Sequence, residues 1–290
     1  MKRTLLLLLL VPFVGFGQTK YDQYDALISE ANKLKREGNY DQAINKYKSA
    51  LDILIPDNST PFFDLADCAL KLDKNDLADI WIRKGVSQGG AQMKYLRKYK
   101  GFSDIQNADF YNKIISDYNS LRQQYFSTIE NIDIYLEIEE LTARDQFVRK
   151  IDDYISGRTE EDIENAMKGL QEARKDNDSV AAKKYRDLLF PKPNKEYQRL
   201  QNEIMRKVDS LNVARLMEIT KEYGWQERAW IILWHQRGVH DEDNYVWNYF
   251  RPLINKEIEE GKISRSFWGP FDQFKKMMKT GEMGIIQVEE

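Results

Sequence analysis

Small residues at helical spacing between residues 24 and 57 constrain the fold of this chain more than any other feature. Ala31 and Ala43 would let two helices approach closely, and Gly38 with Asn39 would form the turn between them. A single helical hairpin cannot bury its own apolar face. The pattern therefore predicts a second hairpin about 34 residues further along the chain.

The pattern recurs at an offset of 35 residues. The matched positions are Ala31 with Ala66, Asp41 with Asp76, Ala43 with Ala78, Tyr47 with Ile82 and Leu51 with Val86. The second copy is weaker, because Asp73 replaces Gly38 and Gly85 replaces Ala50. A third segment, residues 95–126, has large apolar residues at helical spacing and would cap the array; these are Phe110, Ile114, Tyr118 and Leu121.

The first hairpin resembles a tetratricopeptide repeat. The residues that carry the resemblance are Ala31, Leu34, Gly38, Tyr40, Ala43, Tyr47, Ala50, Leu51 and the closing Pro56. The resemblance implies a short superhelical array whose concave face binds an extended peptide or a partner helix. In the alternative interpretation, these helices only support the domain that follows them.

The N-terminus has the parts of a secretory signal peptide. Two basic residues precede an apolar stretch from Leu5 to Phe16, and Gly15 and Gly17 supply the small side chains that a signal peptidase requires. We expect cleavage after Gly17 and export to the periplasm or the medium, the alternative being an uncleaved N-terminal anchor. Cys68 lies too far along the chain to carry an N-terminal lipid, and no later segment predicts a membrane span.

The charge pattern argues against a nucleic-acid-binding protein. The chain has 44 Lys and Arg against 47 Asp and Glu, a net charge of −3, and loss of the leader would make it about −5. The charges are interspersed, without a basic run that includes aromatic residues. Cys68 is the only cysteine, which excludes an internal disulfide, and we expect it to be a buried helix residue.

The second half is predicted to be helical over residues 129–154, 157–187 and 197–222. Thr159, followed by acidic residues, would cap the second helix, and Gly224 would end the third. The predicted apolar face of the third helix consists of Leu200, Ile204, Val208, Leu211, Ile219 and Tyr223.

Tryptophans are concentrated near the C-terminus. Five of the six lie within 44 residues, namely Trp225, Trp230, Trp234, Trp247 and Trp268. The run from Ala229 to Trp234 is apolar on every side, which predicts a central helix. We interpret these rings as packing residues, and a ligand stacked on them is the alternative.

Four short motifs and a histidine occur in a fixed order in this half. They are DQFVR at 145–149, DSLN at 209–212, EYGWQ at 222–226, then His235, and a late Asp272 followed by a glycine and a glutamine. This order resembles a bacterial domain family of unknown function over about residues 130–287. The chain departs from the family pattern at Gln226, Trp234, Gln273 and Val288.

The candidate site residues are His235, Asp145, Arg149 and Asp272. Such side chains together would supply a base, its orienting carboxylate and an anion clamp. Each also has a structural interpretation. Asp145 and Arg149 are spaced to pair along one helix, and His235 could be a cation at a helix C-terminus. The absence of an arginine after Asp272 weakens the enzyme interpretation.

The sequence predicts neither a metal site nor a cofactor. His235 and His240 are too widely spaced for one helical face, and residues 240–244 lack the glycine and the distant glutamate of a calcium loop. A Gly-rich phosphate loop, a nucleophile elbow and paired zinc cysteines are likewise missing from the sequence.

We therefore predict an all-α protein with a signal peptide at residues 1–17, a tetratricopeptide-like array at 18–125 and a tryptophan-rich helical domain at 126–290. The favoured function is an exported protein whose array binds a protein or peptide partner. The alternative is an enzyme with a polar site around His235, Asp145 and Arg149.

The N-terminal pattern predicts that the mature protein begins at Gln18. Intact-mass and N-terminal peptide mass spectrometry of the protein expressed in a bacterium with a general secretion pathway checks this. Met1 or Lys2 retained on the cell-associated protein would contradict it.

Overall fold

The fold is all-α, as predicted. A computed structural model describes residues 19–151, 157–190, 195–239 and 243–280, and these contain α-helices, short 3₁₀ helices and no strand. The predicted leader lies outside the described residues. The helices are α1 Lys20–Arg36, α2 Tyr40–Ile53, α3 Thr60–Leu70, α4 Asn75–Ser87, α5 Met93–Lys98, α6 Asp109–Ser127, α7 Ile132–Arg149, α8 Glu160–Lys175, α9 Ser179–Leu189, α10 Lys195–Tyr223, α11 Trp230–Trp234, α12 Tyr245–Glu259 and α13 Gly269–Thr280. The 3₁₀ helices are Lys100–Ile105, Glu227–Ala229, Arg237–Val239 and Arg265–Trp268.

The chain divides into two compact units. The first contains residues 19–125 and 257–268, and the second contains residues 126–256 and 269–280. Residues 257–268 are separated in sequence from the rest of the first unit. They group with the first unit because Ser264 donates a hydrogen bond to the Asp25 carboxylate and Arg265 Nε lies 3.1 Å from Asp22 Oδ1, both on α1.

The first unit begins with two helical hairpins, α1 with α2 and α3 with α4, and α2 also packs against α3. The two turns have the same backbone feature. Gly38 has φ +79° after α1, and Asp73 has φ +55° after α3. These are the two residues that the 35-residue offset aligns, so Asp73 adopts the left-handed conformation that glycine supplies in the first hairpin.

The small residues of the repeat pattern lie where the helices touch. Ala31, Ala43, Ala66 and Ala78 are all 0% exposed. At Gly85, a Cβ atom would overlap the ring of Phe63, so the weaker second copy requires glycine at this position. Close backbone approach therefore determines which residue types are acceptable at these contacts.

A partly buried ion cluster ties α1 to α3. Lys35 Nζ lies 2.6 Å from Asp64 Oδ1 and 2.7 Å from Asp67 Oδ2, and the Tyr99 hydroxyl donates to Asp64. Burial disfavours the charged lysine, but the two carboxylates leave the pKa of Lys35 above its ordinary value. Cys68 is buried beside this cluster, and burial raises the pKa of its thiol to about 12, which leaves it unreactive near neutral pH.

In the second unit, α7 packs against α10, and α11 packs against both. The buried residues of the α11 segment are Ala229, Ile232, Leu233 and Trp234, so this segment is central as predicted. The rings of Trp230 and Trp234 stack with centroids 5.1 Å apart. Trp234 and Trp247 each meet the edge of Phe271 at 5.4 Å, so these tryptophans pack against protein side chains.

Two details of the predicted helices are wrong. Residues 157–187 do not form one helix, because Asn177 takes φ +54° and the Asp178 side chain caps a new helix, α9. The capping box at Thr159 is present. The predicted apolar face of α10 is wrong at four of its six positions, because Leu200, Ile204, Leu211 and Tyr223 are exposed. Ile219 is buried as predicted and Val208 is half-buried; the other buried positions are Asn212, Val213, Leu216 and Thr220.

A search of the described residues found no helix with both the length and the apolar character needed to cross a bilayer.

Ala43→Glu should lower the free energy of unfolding by about 3 kcal/mol, because it buries an unpaired charge at a helix contact. Asn45→Glu places the same side chain on the exposed face of α2 and should change stability by less than about 0.5 kcal/mol. Urea unfolding followed by circular dichroism measures both. Equal stability of the two variants would contradict the packing of the first hairpin.

Candidate functional site

Among the described residues of the second unit, Asp145 has the most deeply buried carboxylate, with 1% of its side chain exposed. It lies on α7, on the side that α10 and α11 cover. A buried carboxylate requires compensating donors or cations, because desolvation of the charge costs several kcal/mol. The contacts of Asp145 therefore determine what this cluster can do.

Two neighbours on α7 donate to this carboxylate. Arg149 Nη1 lies 2.8 Å from Asp145 Oδ1, and Gln146 Nε2 lies 2.9 Å from Oδ2. Arg149 also uses its other terminal nitrogen, Nη2, which lies 2.8 Å from Asp209 Oδ1 on α10. The guanidinium thus bridges two carboxylates and links α7 to α10, so its charge is already neutralised.

His235 completes the cluster. It caps the C-terminus of α11, and its Nδ1 lies 2.8 Å from Asp145 Oδ2. The Nδ1–H bond does not point at this oxygen closely enough for a hydrogen bond, so the contact is electrostatic rather than directional. The structure therefore brings together three of the four candidate residues, Asp145, Arg149 and His235.

Asp272 does not join them. It lies in the first turn of α13 with an exposed side chain, and it forms no ion pair or hydrogen bond with the cluster among the residues described. The neighbouring α13 residues that approach α11 are aromatic, with Phe271 and Phe274 against Trp234. The α13 helix therefore contributes packing at this position.

Sequence reasoning missed Arg237, which lies two residues after His235. Its guanidinium carbon is 4.4 Å from the centre of the Trp234 ring and 4.7 Å from the centre of the Phe274 ring. Burial lowers the pKa of Arg237, and the positive charge of Arg149 lowers it further. The available signal was a basic residue three positions after the end of a wholly apolar helix.

The first unit contains a different candidate, a groove of about 480 Å³ along α4 and α6. Its lining residues are Asp76, Asp79, Ile80, Arg83, Phe110, Lys113 and Asp117. Ile80 is 48% exposed, which is high for a large apolar side chain in a groove. This combination of an accessible apolar contact and fixed charges is suited to recognition of a protein segment.

Arg83 holds the two sides of this groove together. Its Nε donates to both oxygens of Asp79, at 3.0 and 3.1 Å, and its Nη1 lies 2.8 Å from Asp117 Oδ2 on α6. Burial disfavours the charged guanidinium, but the hydrogen bonds to the two carboxylates outweigh it and leave the pKa of Arg83 above its ordinary value. The side chains of Asp79, Arg83 and Asp117, which form the charged rim of the groove, are therefore held in place before any partner binds.

Comparisons with known proteins found no similarity. The sequence matches no protein-family model, and neither a curated protein nor a solved structure is significantly similar to it. Within the described ranges, no group of three or more His, Cys, Asp or Glu side chains could hold a metal ion.

We expect Asp145→Asn to lower the free energy of unfolding by about 3 kcal/mol, because Arg149 and His235 lose a buried counter-charge. His235→Gln should cost only about 1 kcal/mol, since Arg149 and Gln146 still compensate Asp145. Chemical unfolding of both variants measures this difference.

Glu140→Gln is the matched control. Glu140 is also paired with an arginine four residues later on α7, Arg144, but its side chain is 72% exposed. Loss of the Glu140–Arg144 ion pair should change the free energy of unfolding by less than about 0.5 kcal/mol. If Asp145→Asn proves no more harmful than Glu140→Gln, the cluster does not stabilise the second unit.

Proposed function

We propose that this protein is a partner-binding module, and that the groove along α4 and α6 binds a segment of another protein. The observation that carries the proposal is the accessible Ile80 between side chains whose positions are already fixed by ion pairs. A preformed rim lowers the entropy lost on binding, so a modest apolar contact suffices for useful affinity.

The apolar part of the groove favours a peptide with one bulky anchor. Ile80 on α4 and Phe110 at the start of α6 are the large apolar residues of the lining, and the other five are charged. An aliphatic or aromatic side chain inserted there would remove the exposed surface of Ile80 from water. Each square ångström of apolar surface buried contributes about 25 cal/mol.

The charges of the groove favour a basic residue beside that anchor. The lining has three carboxylates and two cations. Arg83 is neutralised by Asp79 and Asp117, which leaves Asp76 and Lys113 as the exposed charges of the rim. Three carboxylates against two cations leave the groove with one excess negative charge. A Lys or Arg next to the apolar anchor of the peptide would be attracted by that charge, whereas an acidic residue there would be repelled.

We also propose that the two hairpins form a short array of the tetratricopeptide type and that the N-terminal leader directs export. The support for the array is the aligned left-handed turns and the buried alanines of both hairpins. The support for export is the leader sequence. The partner would then be a periplasmic or extracellular protein, and the second unit would belong to a domain family whose role is unknown.

The alternative proposal is an enzyme whose site lies around His235, Asp145 and Arg149. The 2.8 Å approach of His235 Nδ1 to Asp145 Oδ2 favours it, because it places a histidine beside a buried carboxylate. Two observations argue against it. Arg149 is saturated by two carboxylates, so it offers no anion clamp, and Asp272 lies outside the cluster. A metabolite screen on wild type and on His235→Gln separates the proposals.

The groove predicts a defined outcome in peptide selection. The mature protein should enrich peptides with a bulky apolar residue beside Lys or Arg from a random display library. Ile80→Asp should weaken the best of these peptides about ten-fold or more, because a charge replaces the apolar contact. Fluorescence anisotropy with the labelled peptide measures the dissociation constants.

Ile55→Asp is the matched control for this experiment. Ile55 follows α2, is 49% exposed against 48% for Ile80, and does not line the groove. Its substitution should leave peptide affinity unchanged. Equal weakening by the two variants, or selected peptides without an apolar anchor, would show that the groove is not the binding site.

A further inference from the structure

The N-terminal half of α10 is a long stretch of helix without buried side chains. Of the side chains that the structure describes between Lys195 and Leu211, none is buried, whereas five positions between Asn212 and Thr220 are. The unburied part amounts to nearly five helical turns. Because most of the stability of a helix in a protein comes from packing of an apolar face, this half of α10 is suited to packing against another surface.

Three large apolar side chains lie on the outer side of this half, and we call them the outer stripe of α10. Leu200 is 47% exposed, Ile204 is 46% exposed and Leu211 is 53% exposed. With 3.6 residues per turn, the three fall within about 40° of one another around the helix axis. The buried Leu216 falls on the opposite side of the axis. The outer stripe is therefore an apolar surface in addition to the face that packs inside the unit.

The two flanks of the outer stripe differ in charge. Glu203 and Lys207 lie on one flank, with exposed side chains. Neither of them forms an ion pair or a hydrogen bond with the part of the chain that the structure describes. The other flank carries Gln201 and Val208, which have no charge. One flank therefore presents a negative and a positive charge one turn apart, both available to a partner.

We propose that α10 is a dimerisation surface, at which the outer stripe packs antiparallel against the outer stripe of a second copy of this chain. The two-fold axis passes near residue 205, so that residues equally far from this position face each other. Leu200 of one copy then lies beside Leu211 of the second copy, and the two Ile204 side chains meet near the axis.

The charges select a second copy of the chain and the antiparallel direction. Two-fold symmetry about residue 205 brings Glu203 of each copy opposite Lys207 of the other, so the attraction occurs twice. A parallel pair would instead place both charges opposite the uncharged flank, where Gln201 and Val208 lie. The surface is thus complementary to itself in one direction, which an unrelated protein would match only by chance.

The size of the outer stripe predicts a weak, reversible dimer. Three apolar side chains from each copy form an interface smaller than the standard size for stable complexes. We expect a dissociation constant on the order of 10 to 100 μM. All of these residues belong to the second unit, so dimerisation does not depend on the peptide groove of the first unit.

Sedimentation velocity of the full mature chain, at concentrations from about 1 to about 300 μM, covers this range. The wild type should shift from monomer to dimer as the concentration rises. Ile204→Glu should weaken dimerisation about ten-fold or more, because two carboxylates would meet near the axis. Leu136→Glu is the matched control, because Leu136 is 53% exposed on α7 and lies outside the outer stripe; this variant should dimerise as the wild type does.

Charge reversal tests the pairing between copies. Glu203→Lys should weaken dimerisation about five-fold, because each new lysine faces Lys207 of the other copy. Combining Glu203→Lys with Lys207→Glu exchanges the two charges and should restore the affinity of the wild type. A role of either residue in the stability of the monomer alone would not produce this recovery.

Disulfide cross-linking tests the direction of the two helices. The native Cys68 is buried, so it does not interfere with cysteines placed on the outer stripe. After mild oxidation, a mixture of Leu200→Cys and Leu211→Cys should yield a cross-linked heterodimer. Each variant alone should yield much less cross-linked product, because the two equivalent positions lie on opposite sides of the axis.

Four results would overturn the proposal. They are a wild type that stays monomeric at the highest concentration, equal weakening by Ile204→Glu and Leu136→Glu, no recovery in the charge-exchanged double variant, and stronger cross-linking of each cysteine variant alone than of the mixture. In the first case the outer stripe would belong to a contact with a different protein. Loss of peptide binding in Ile80→Asp has no bearing on these outcomes, so the two proposals fail separately.

Discussion

Close approach of helix backbones is the constraint on which the first unit depends. Ala31 and Ala43 are fully buried at the contact of one hairpin, and Gly85 is required at the contact of the next because the Phe63 ring occupies the space of a Cβ atom. Since a pair of helices cannot cover its own apolar face, each hairpin needs the next one. This stacking leaves α4 and α6 to form the groove.

Charge compensation between helices recurs in both units. Arg83 and Arg149 each bridge two carboxylates from two helices, so they lock the helices together and their charges are neutralised within the protein. Removing either cation would leave buried or half-buried carboxylates unpaired. Arg237 lies instead against the faces of Trp234 and Phe274 and donates to the Trp234 carbonyl oxygen.

The sequence predicts local features of this protein better than its sites. Helical periods, the Thr159 cap and the stop at Gly224 depend on neighbouring residues, and the structure contains them. The break at Asn177 was missed because an ordinary polar residue adopts the left-handed conformation there. The groove was missed because its walls come from α4 and α6, whose juxtaposition no local pattern reveals. Convergence of His235 on Asp145 likewise depends on packing between α7 and α11.

The central claim is that the groove along α4 and α6 is the partner-binding surface of the first unit. A crystal structure of the mature chain with a selected peptide tests it most directly. The account predicts that an apolar side chain of the peptide contacts Ile80 and Phe110, with the Arg83 ion pairs to Asp79 and Asp117 unchanged. A peptide bound on any other surface, with the groove empty, would contradict it.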